Sequence, residues 1–501
     1  MDIISLFIFC AVVSGISIHS AIYVMHNLSI VDCSSEKHKL HDVNTPFVGG
    51  VGVLVALCIA FSLLALGYSE TLQKWLVLGL CSIIIFVTGF IDDSIKLSYK
   101  SRFIIQTIVA CLMVLVGGVV LTDLGGLLWG QPLQLAGWFA IAFTIFAVIG
   151  GINAVNMIDG LDGLSGSISL SSLLLIGIAA LINEDHHNLV VIVALAGGVV
   201  GFLYHNLRYA SKRYARVFLG DNGSMLLGFI LAWLLVDLSQ KPNPAITPVT
   251  AIWLFSIPLL DTLTVMLRRI SLGQSPFMPD RYHLHHLFQK SGFFVTEITY
   301  TITFLHLLLG AIGLTGLYLG IPEFIMLLGF FLVFLGYFGL TMKPWRFVSL
   351  LRHLRVIILG TRLGLAPIAS CSTFYGNYDA KDCEILAKRV NEELEHDTNF
   401  SIRIFEQSSV RPDWGKRFAI TLNLWLAKED CASEAKLQQY IASLQQRLGE
   451  QRGIQLRRLM ARDKDFDLRA YSSGSAFGES LNVSRRGLGA QALAFEVTCK
   501  V

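Results

Sequence analysis

Five aspartates stand at the ends of long apolar runs. Asp92 and Asp93 close one run in Gly89-Phe90-Ile91-Asp92-Asp93-Ser94, and Asp159 and Asp162 fall in the stretch from Asn153 to Leu164, with Asn153 and Asn156. Asp221 precedes another run in Phe218-Leu219-Gly220-Asp221-Asn222-Gly223-Ser224. A last polar segment reads Pro279-Asp280-Arg281-Tyr282-His283-Leu284-His285-His286. Adjacent acids at a low-dielectric boundary repel one another unless a cation or a proton intervenes. A hard divalent ion with oxygen ligands removes that cost, and Mg²⁺ characteristically takes one or two carboxylates together with phosphate oxygens. Glycines 160, 163, 220 and 223 let backbone N–H groups approach an anion, and Gly223-Ser224 starts a helix whose N-terminal dipole favours one. Arg268, Arg269, Arg281 and the three histidines add donors. Metal-binding acids beside phosphate donors suit cleavage of a diphosphate, where catalysis is mostly positioning and charge neutralisation.

Each feature has a plainer reading. Asp92-Asp93 alone would be an ordinary solvated helix end. Asp159-Gly160-Leu161-Asp162-Gly163 lacks the remaining EF-hand ligands, including the terminal Glu, so a calcium loop is rejected. His283, His285 and His286 have no nearby Cys and have basic neighbours, which disfavours zinc. Gly49-Gly50-Val51-Gly52 fits close helix packing at least as well as a nucleotide loop. Asp261 lies inside an apolar run, where an ionisable residue is a functional candidate, although simple pairing near the inner end would also explain it. Pro258, about one turn earlier, frees a carbonyl and opens that helix locally.

The elements that carry these residues are membrane helices. The chain has 501 residues, 54% hydrophobic and only 15% charged, with a mean hydropathy of +0.61. An ordinary globular domain is about a quarter charged. Soluble, disordered and disulfide-rich classes are excluded, and the net charge of +3 offers nucleic acid no support. Eleven apolar blocks, 3–25, 47–68, 75–91, 103–121, 133–152, 164–182, 189–204, 224–236, 245–267, 298–319 and 324–340, read as spans. Two of them, 189–204 and 224–236, are short.

Alternate connections hold thirteen Lys and Arg (37, 39, 96, 100, 102, 208, 212, 213, 216, 268, 269, 281, 290) against two, Lys74 and Lys241. That asymmetry places the first set in the cytoplasm, the N-terminus outside and the C-terminus inside. The first block is too long for a signal-peptide core and lacks a basic start. Residues 1–344 are thus expected to form an all-α polytopic membrane domain. Residues 345–501, of mixed composition, are expected to form a cytosolic α/β or α+β domain, with a strand over 418–426 and a helix over 434–449. The nine Cys, none in a CxxC pair, read as reduced structural thiols.

As a spaced set these motifs resemble the polyprenyl-phosphate N-acetylhexosamine-1-phosphate transferases, glycosyltransferase family 4. The matches are Gly89 to Asp93, Asn153 to Leu164, Phe218 to Ser224 and Ser275 to His286, and the resemblance covers roughly residues 1–345. It implies transfer of a sugar 1-phosphate from a UDP-N-acetylhexosamine to undecaprenyl phosphate, with release of UMP and dependence on Mg²⁺, with Mn²⁺ as an alternative. The Pro-Asp-Arg-x-His-Leu-His-His run is most similar to the branch that uses UDP-N-acetylglucosamine and begins O-antigen or related envelope polysaccharides. The muramoyl-pentapeptide branch is less similar. The implied setting is the bacterial inner membrane. The family pattern is often basic where Phe47 stands, so no phosphate contact is assigned there.

On this reading Asp221 is the principal metal ligand, with Asp92 and Asp159 sharing the ion. Asp92 or Asp93 positions or deprotonates the lipid phosphate, and Asp159 and Asp162 shape the metal and nucleotide site with Asn153 and Asn156. Arg268, Arg281, His283, His285 and His286 bind the sugar nucleotide. The long tail departs from the family's short ending; a docking or regulatory module with a protein partner is one expectation for it. The oligomeric state is open, a homo-oligomer included. A transporter or flippase of lipid-linked solutes is the competing class, but transporter acids gather near the midplane on broken helices, whereas these, Asp261 apart, stand at helix ends.

Overall fold

A computed structural model describes residues 2–27, 45–67, 72–209, 215–276, 282–291, 293–355, 400–407, 417–427, 467–471, 480–484 and 494–500. The chain divides into two compact units, Met1–Val348 and Ser349–Val501.

The first unit is a bundle of helices. In chain order they are α1 (Ile3–Asn27), α2 (Gly49–Gly67), α3 (Leu72–Ile95), α4 (Tyr99–Leu115), α5 (Gly137–Ile158), α6 (Leu164–Ile182), α7 (His186–Asn206), α8 (Gly220–Ser239), α9 (Pro248–Leu254), α10 (Ser256–Ser271), α11 (Leu284–Lys290), α12 (Val295–Tyr318) and α13 (Glu323–Thr341), with α14 (Pro344–Arg355) crossing the unit boundary. Among the described residues nine helices are long and apolar enough to cross a membrane, and the bent pair α9–α10 makes a tenth. The remaining expected block is α4, whose 17 residues give a length of about 25 Å at helical rise. Every apolar block therefore overlaps a helix, the ninth a bent pair of them, and the protein is a polytopic membrane protein.

Helix ends differ from the hydropathy pattern in ways that matter for the site. The two short blocks lengthen to 21 residues in α7 and 20 in α8, because polar end residues keep the helical hydrogen bonds going. Asn153 and Asn156, expected in a connection, ride on the last turns of α5, and Asp221 lies in the first turn of α8 rather than before it. α8 is the central element: its apolar stretch is wholly buried, with Phe229 and Trp233 among the largest enclosed side chains.

The ninth span breaks at Phe255, where α9 and α10 meet at 85°. Pro258 has no N–H, so the Leu254 carbonyl loses its usual donor four residues on. Ser172 Oγ supplies a replacement at 3.0 Å, and the buried His306 ring lies 2.9 Å from Ser172 Oγ and 3.3 Å from Ser256 Oγ. Within a bilayer such exposed backbone persists only where protein groups satisfy it. At the other end of the bundle Lys74 and Lys241 pair with Asp237 and Asp185, and Asn188 Nδ2 joins both acids at 2.8 and 2.9 Å. This network fastens α3, α7 and α8 there.

The second unit contains β1 (Phe400–Gln407), β2 (Arg417–Ala427), β3 (Asp467–Tyr471), β4 (Ser480–Ser484) and β5 (Ala494–Lys500). β2 pairs antiparallel with β1 and parallel with β5, and β3 pairs antiparallel with β4. The strand expected over 418–426 is β2; the helix expected over 434–449 lies outside the described residues.

Candidate active site

The site begins with a turn at a left-handed glycine. A short parallel bridge between Phe47 and Phe218 delivers the chain to Gly220, whose φ of +74° is the left-handed region that favours glycine. α8 starts there, and its first free N–H groups need acceptors. Asp93 provides them from α3: its Oδ1 accepts from the Asp221 N–H at 2.9 Å, and its Oδ2 from the Asn222 N–H at 3.2 Å and from Asn222 Nδ2 at 2.6 Å. This contact requires α3 to touch the turn, and Gly89 allows it: a Cβ there would stand 2.4 Å from the Asn222 Cα. Gly50 is similarly pressed on Asn222, so the Gly49-Gly50-Val51-Gly52 run is a packing surface. Asp93 is thus committed to orienting the Asp221 turn.

Asp221, with its side chain 31% exposed, points into a cluster. Asn156 Nδ2 of α5 donates to Asp221 Oδ1 at 2.6 Å and to Ser224 Oγ at 3.0 Å. Arg102 of α4 reaches Asp92 Oδ2 at 2.8 Å and Asp221 Oδ2 at 3.8 Å. Asp92 is only 4% exposed and also accepts from the Leu97 N–H at 2.6 Å, ending α3. Asp159, just past α5, is held well above the ordinary carboxylate range by desolvation and then by the charges of Asp221, Asp93 and Asp162. A proton or a cation is what such a group seeks.

The histidine segment closes the cluster. His285 Nε2 lies 2.3 Å from where a Cβ of Gly160 would be, which puts α11 against the Asp159 turn. His283 and His285 stack at 5.9 Å with 8° between their planes, and His285 and His286 are 4.1 Å apart. Burial pushes His285 well below the usual imidazole range and lowers His286 also, so both are neutral near pH 7. Asp261 of α10 accepts from His283 Nδ1, the Leu284 N–H and the Tyr337 hydroxyl at 2.9, 2.8 and 2.8 Å.

Of the residues singled out in the sequence, Asp92, Asp93, Asn156, Asp159, Asp221 and His285 are thereby brought together from four connections. Others sit aside. Asp162 is buried against Arg208 Nε at 2.6 Å. Asn153 donates at 2.8 Å to Gln106 Oε1, joining α5 to α4. Arg268 is buried, with its guanidinium 4.1 Å above the Tyr282 ring. Arg281 lies outside the described residues. Arg102 was legible only as an orientation charge; its signal was Gln106 one turn further on, since a polar pair at helical spacing marks a buried polar face.

Among the described residues no three Asp, Glu, His or Cys side chains form a protein-only metal cage. A Mg²⁺-like ion needs only one or two carboxylates from the protein, with waters and phosphate oxygens completing its shell. Asp221 and Asp159 have the exposure and the mutual repulsion that such an ion relieves.

Fold and site together define a polytopic membrane protein with an acidic, phosphate-compatible centre at one end of its bundle. Residues 75–239 match the model of glycosyl transferase family 4, a stretch that contains all five clustered or flanking aspartates of the first three motifs. The chain is 32% identical over 357 residues, 71% of its length and 94% of the relative's, to the undecaprenyl-phosphate alpha-N-acetylglucosaminyl 1-phosphate transferase of Salmonella typhi. The protein of that name from Escherichia coli K12 is 33% identical over 355 residues, 71% of this chain and 94% of its own. The one from Haemophilus influenzae is 35% identical over 326 residues, 63% of this chain and 88% of its own. The chain belongs to glycosyl transferase family 4 and is a membrane-embedded transferase.

Proposed function

We propose that the protein transfers N-acetylglucosamine 1-phosphate from UDP-N-acetylglucosamine to undecaprenyl phosphate, giving undecaprenyl-diphospho-N-acetylglucosamine and UMP. The observation that carries this is the meeting of Asp92, Asp93, Asp159 and Asp221 with Arg102 and the histidine segment at one end of the bundle. The relatives' names supply the acceptor and the sugar. A polyprenyl lipid cannot leave the bilayer and a UDP-sugar cannot enter it, so a helix-end site at headgroup level is where both can meet.

The lipid phosphate has a second pKa of about 6 and is mostly dianionic at neutral pH, so attack on the sugar-proximal phosphorus needs alignment more than a strong base. Arg102, held by Asp92, is the charged donor next to Asp221 for an incoming phosphate. Asp93 and Asn222 keep the Asp221 turn rigid, and the His283–His286 segment lies where the nucleotide diphosphate would arrive. Asp221 and Asp159, with Asp92 beside them, would hold Mg²⁺, or Mn²⁺ in its place; the ion supplies charge neutralisation on the diphosphate.

The site faces the cytoplasm of the bacterial inner membrane on this reading, with the N-terminus periplasmic and residues 345–501 a cytosolic α/β or α+β module for regulation or docking. The lysine and arginine asymmetry supports that orientation. The product would start O-antigen or a related envelope polysaccharide. The test is to mix full-length protein with undecaprenyl phosphate, Mg²⁺ and, separately, UDP-N-acetylglucosamine, its epimers and UDP-muramoyl-pentapeptide. UMP and a diphospholipid are expected with the first donor; none with any donor would refute the proposal, and preference for another would reassign the substrate.

A further inference from the structure

Asp261 stands out among buried groups that the proposed reaction has not used. It is 1% exposed, on α10 just beyond the broken helix, and its two oxygens take three protein hydrogen bonds from two other elements, the start of α11 and α13. Oδ1 accepts from the Leu284 N–H, at the start of α11, and from Tyr337 Oη of α13, both at 2.8 Å. Oδ2 lies 2.9 Å from His283 Nδ1. An ionised carboxylate is acceptor-only, so the Nδ1 atom must carry the proton. That fixes the tautomer and the plane of the His283 ring, and it leaves Nε2 as the ring nitrogen for a ligand.

The arrangement reaches the site directly. His283 is stacked on His285, and His285 abuts the Asp159-Gly160 turn. A carboxylate this enclosed is strongly destabilising unless its hydrogen bonds are complete. Simple ion pairing would need one donor; here a backbone N–H and an imidazole from the start of α11 and a phenol from α13 converge on one side chain.

We infer that Asp261 is a positioning residue: with Tyr337 it locks His283 so that Nε2 is presented to the diphosphate cleaved in the transfer. The inference deepens the proposed function and rests on it for the identity of that diphosphate.

The test uses full-length protein in lipid nanodiscs, with UMP release as the assay, for Asp261→Asn, Tyr337→Phe and His283→Ala and for the pairwise combinations with His283→Ala. Asp261→Asn is expected to lower kcat about 10- to 100-fold, as loss of an outer partner of a working imidazole does, with the KM for UDP-N-acetylglucosamine changing less than about threefold. Placed on His283→Ala, the same change is expected to cost less than about threefold more, because the group it orients is gone. Tyr337→Phe, which leaves the carboxylate in place, is expected to cost several-fold alone and nothing in the His283→Ala background, and it decides the matter if Asp261→Asn does not fold. Equal losses with and without His283 would overturn the inference.

Modification of His283 by diethyl pyrocarbonate, read by peptide mass spectrometry, requires no turnover. Loss of the anchor is expected to speed it at least about threefold in Asp261→Asn or Tyr337→Phe, and an unchanged rate in both would overturn the pairing. Wild-type protein that releases no UMP would refute the proposed reaction, while the modification rates would still decide whether Asp261 holds His283.

Discussion

Arg102→Gln isolates the charge balance of the acidic cluster. Glutamine keeps the helix propensity and most of the length of the side chain but removes the cation that lies 2.8 Å from Asp92 and 3.8 Å from Asp221. Removing one partner of a buried pair costs about 3–5 kcal/mol, because the other charge stays behind. Asp92 is 4% exposed, but the Arg102 side chain is 31% exposed and shares its charge with water, so roughly 2–3 kcal/mol is the appropriate share. In a chelator that loss corresponds to a fall of roughly 3–4 °C in melting temperature, at about 2.1 cal/mol/K of unfolding entropy for each of the 348 residues of the first unit. A divalent ion can take over part of the cation's role. At one hundred times its dissociation constant, a ligand that binds only the folded state stabilises it by about 2.7 kcal/mol, and the variant, with one positive charge fewer among the acids, gains more of this than the wild type. The gap between the two proteins should therefore shrink by at least half in saturating Mg²⁺. Turnover should still be lost by about 10- to 100-fold, the value of one charge-assisted hydrogen bond to phosphate. Thermal unfolding in detergent, with EDTA and with Mg²⁺, reads the first two quantities. A variant as stable as wild type in EDTA, or a gap indifferent to Mg²⁺, would show that the acids neither rely on Arg102 nor take a divalent ion in its place.

Asp221→Asn should abolish turnover, by at least about a thousandfold, while the melting temperature stays within a few degrees, because Asp93, rather than Asp221, caps the helix; near-normal UMP release would remove Asp221 from the site. The chain ended after Arg355 should retain UMP release, since a match spanning 71% of this chain already takes in 94% of the Salmonella typhi relative; complete loss of activity would make the tail part of the catalytic machinery. His285 is buried as the neutral ring, with its proton affinity depressed. Its stabilising contribution is full above the unfolded value near 6.5 and declines as pH falls from there toward the folded value, where the unfolded chain binds the proton first. Comparing melting temperatures at pH 7.5 and 5.5, His285→Gln should lose less stability on acidification than the wild type, and an identical pH dependence would contradict the burial argument.

The membrane architecture could be read from sequence because a spanning helix has to be apolar over most of its length, and ten of the eleven blocks each fall on one helix while the ninth falls on the bent pair α9–α10. What hydropathy could not convey was where hydrogen bonding continues beyond the apolar stretch. Asn153 and Asn156 look like loop residues by polarity, yet α5 runs through them to Ile158. The α8 start was misplaced for the same reason, Gly220 to Asn222 being polar or small but helical and capped by Asp93 from a distant segment. The break of the ninth span was foreshadowed by Pro258, because a missing N–H is a local property, whereas its repair by Ser172 and His306 depends on contacts no spacing reveals.

Within the site, the acids were recognisable as a group because unpaired carboxylates at a membrane boundary are costly. Their individual duties were not. Asp93, read as a candidate base, also accepts from the N–H groups of the Asp221 turn; Asp162, read as a partner of Asp159, acts on it by charge while paired with Arg208. Arg102 was hidden by an orientation count in which every basic residue weighs the same.

Binding of Mn²⁺ to the purified full-length protein, followed by electron paramagnetic resonance with UDP-N-acetylglucosamine present, tests the central claim most directly. One ion per chain in the wild type, lost in Asp221→Asn and weakened in Asp159→Asn, is the result that the converging carboxylates predict. Binding that is unchanged in both variants, or absent from the wild type, would contradict it.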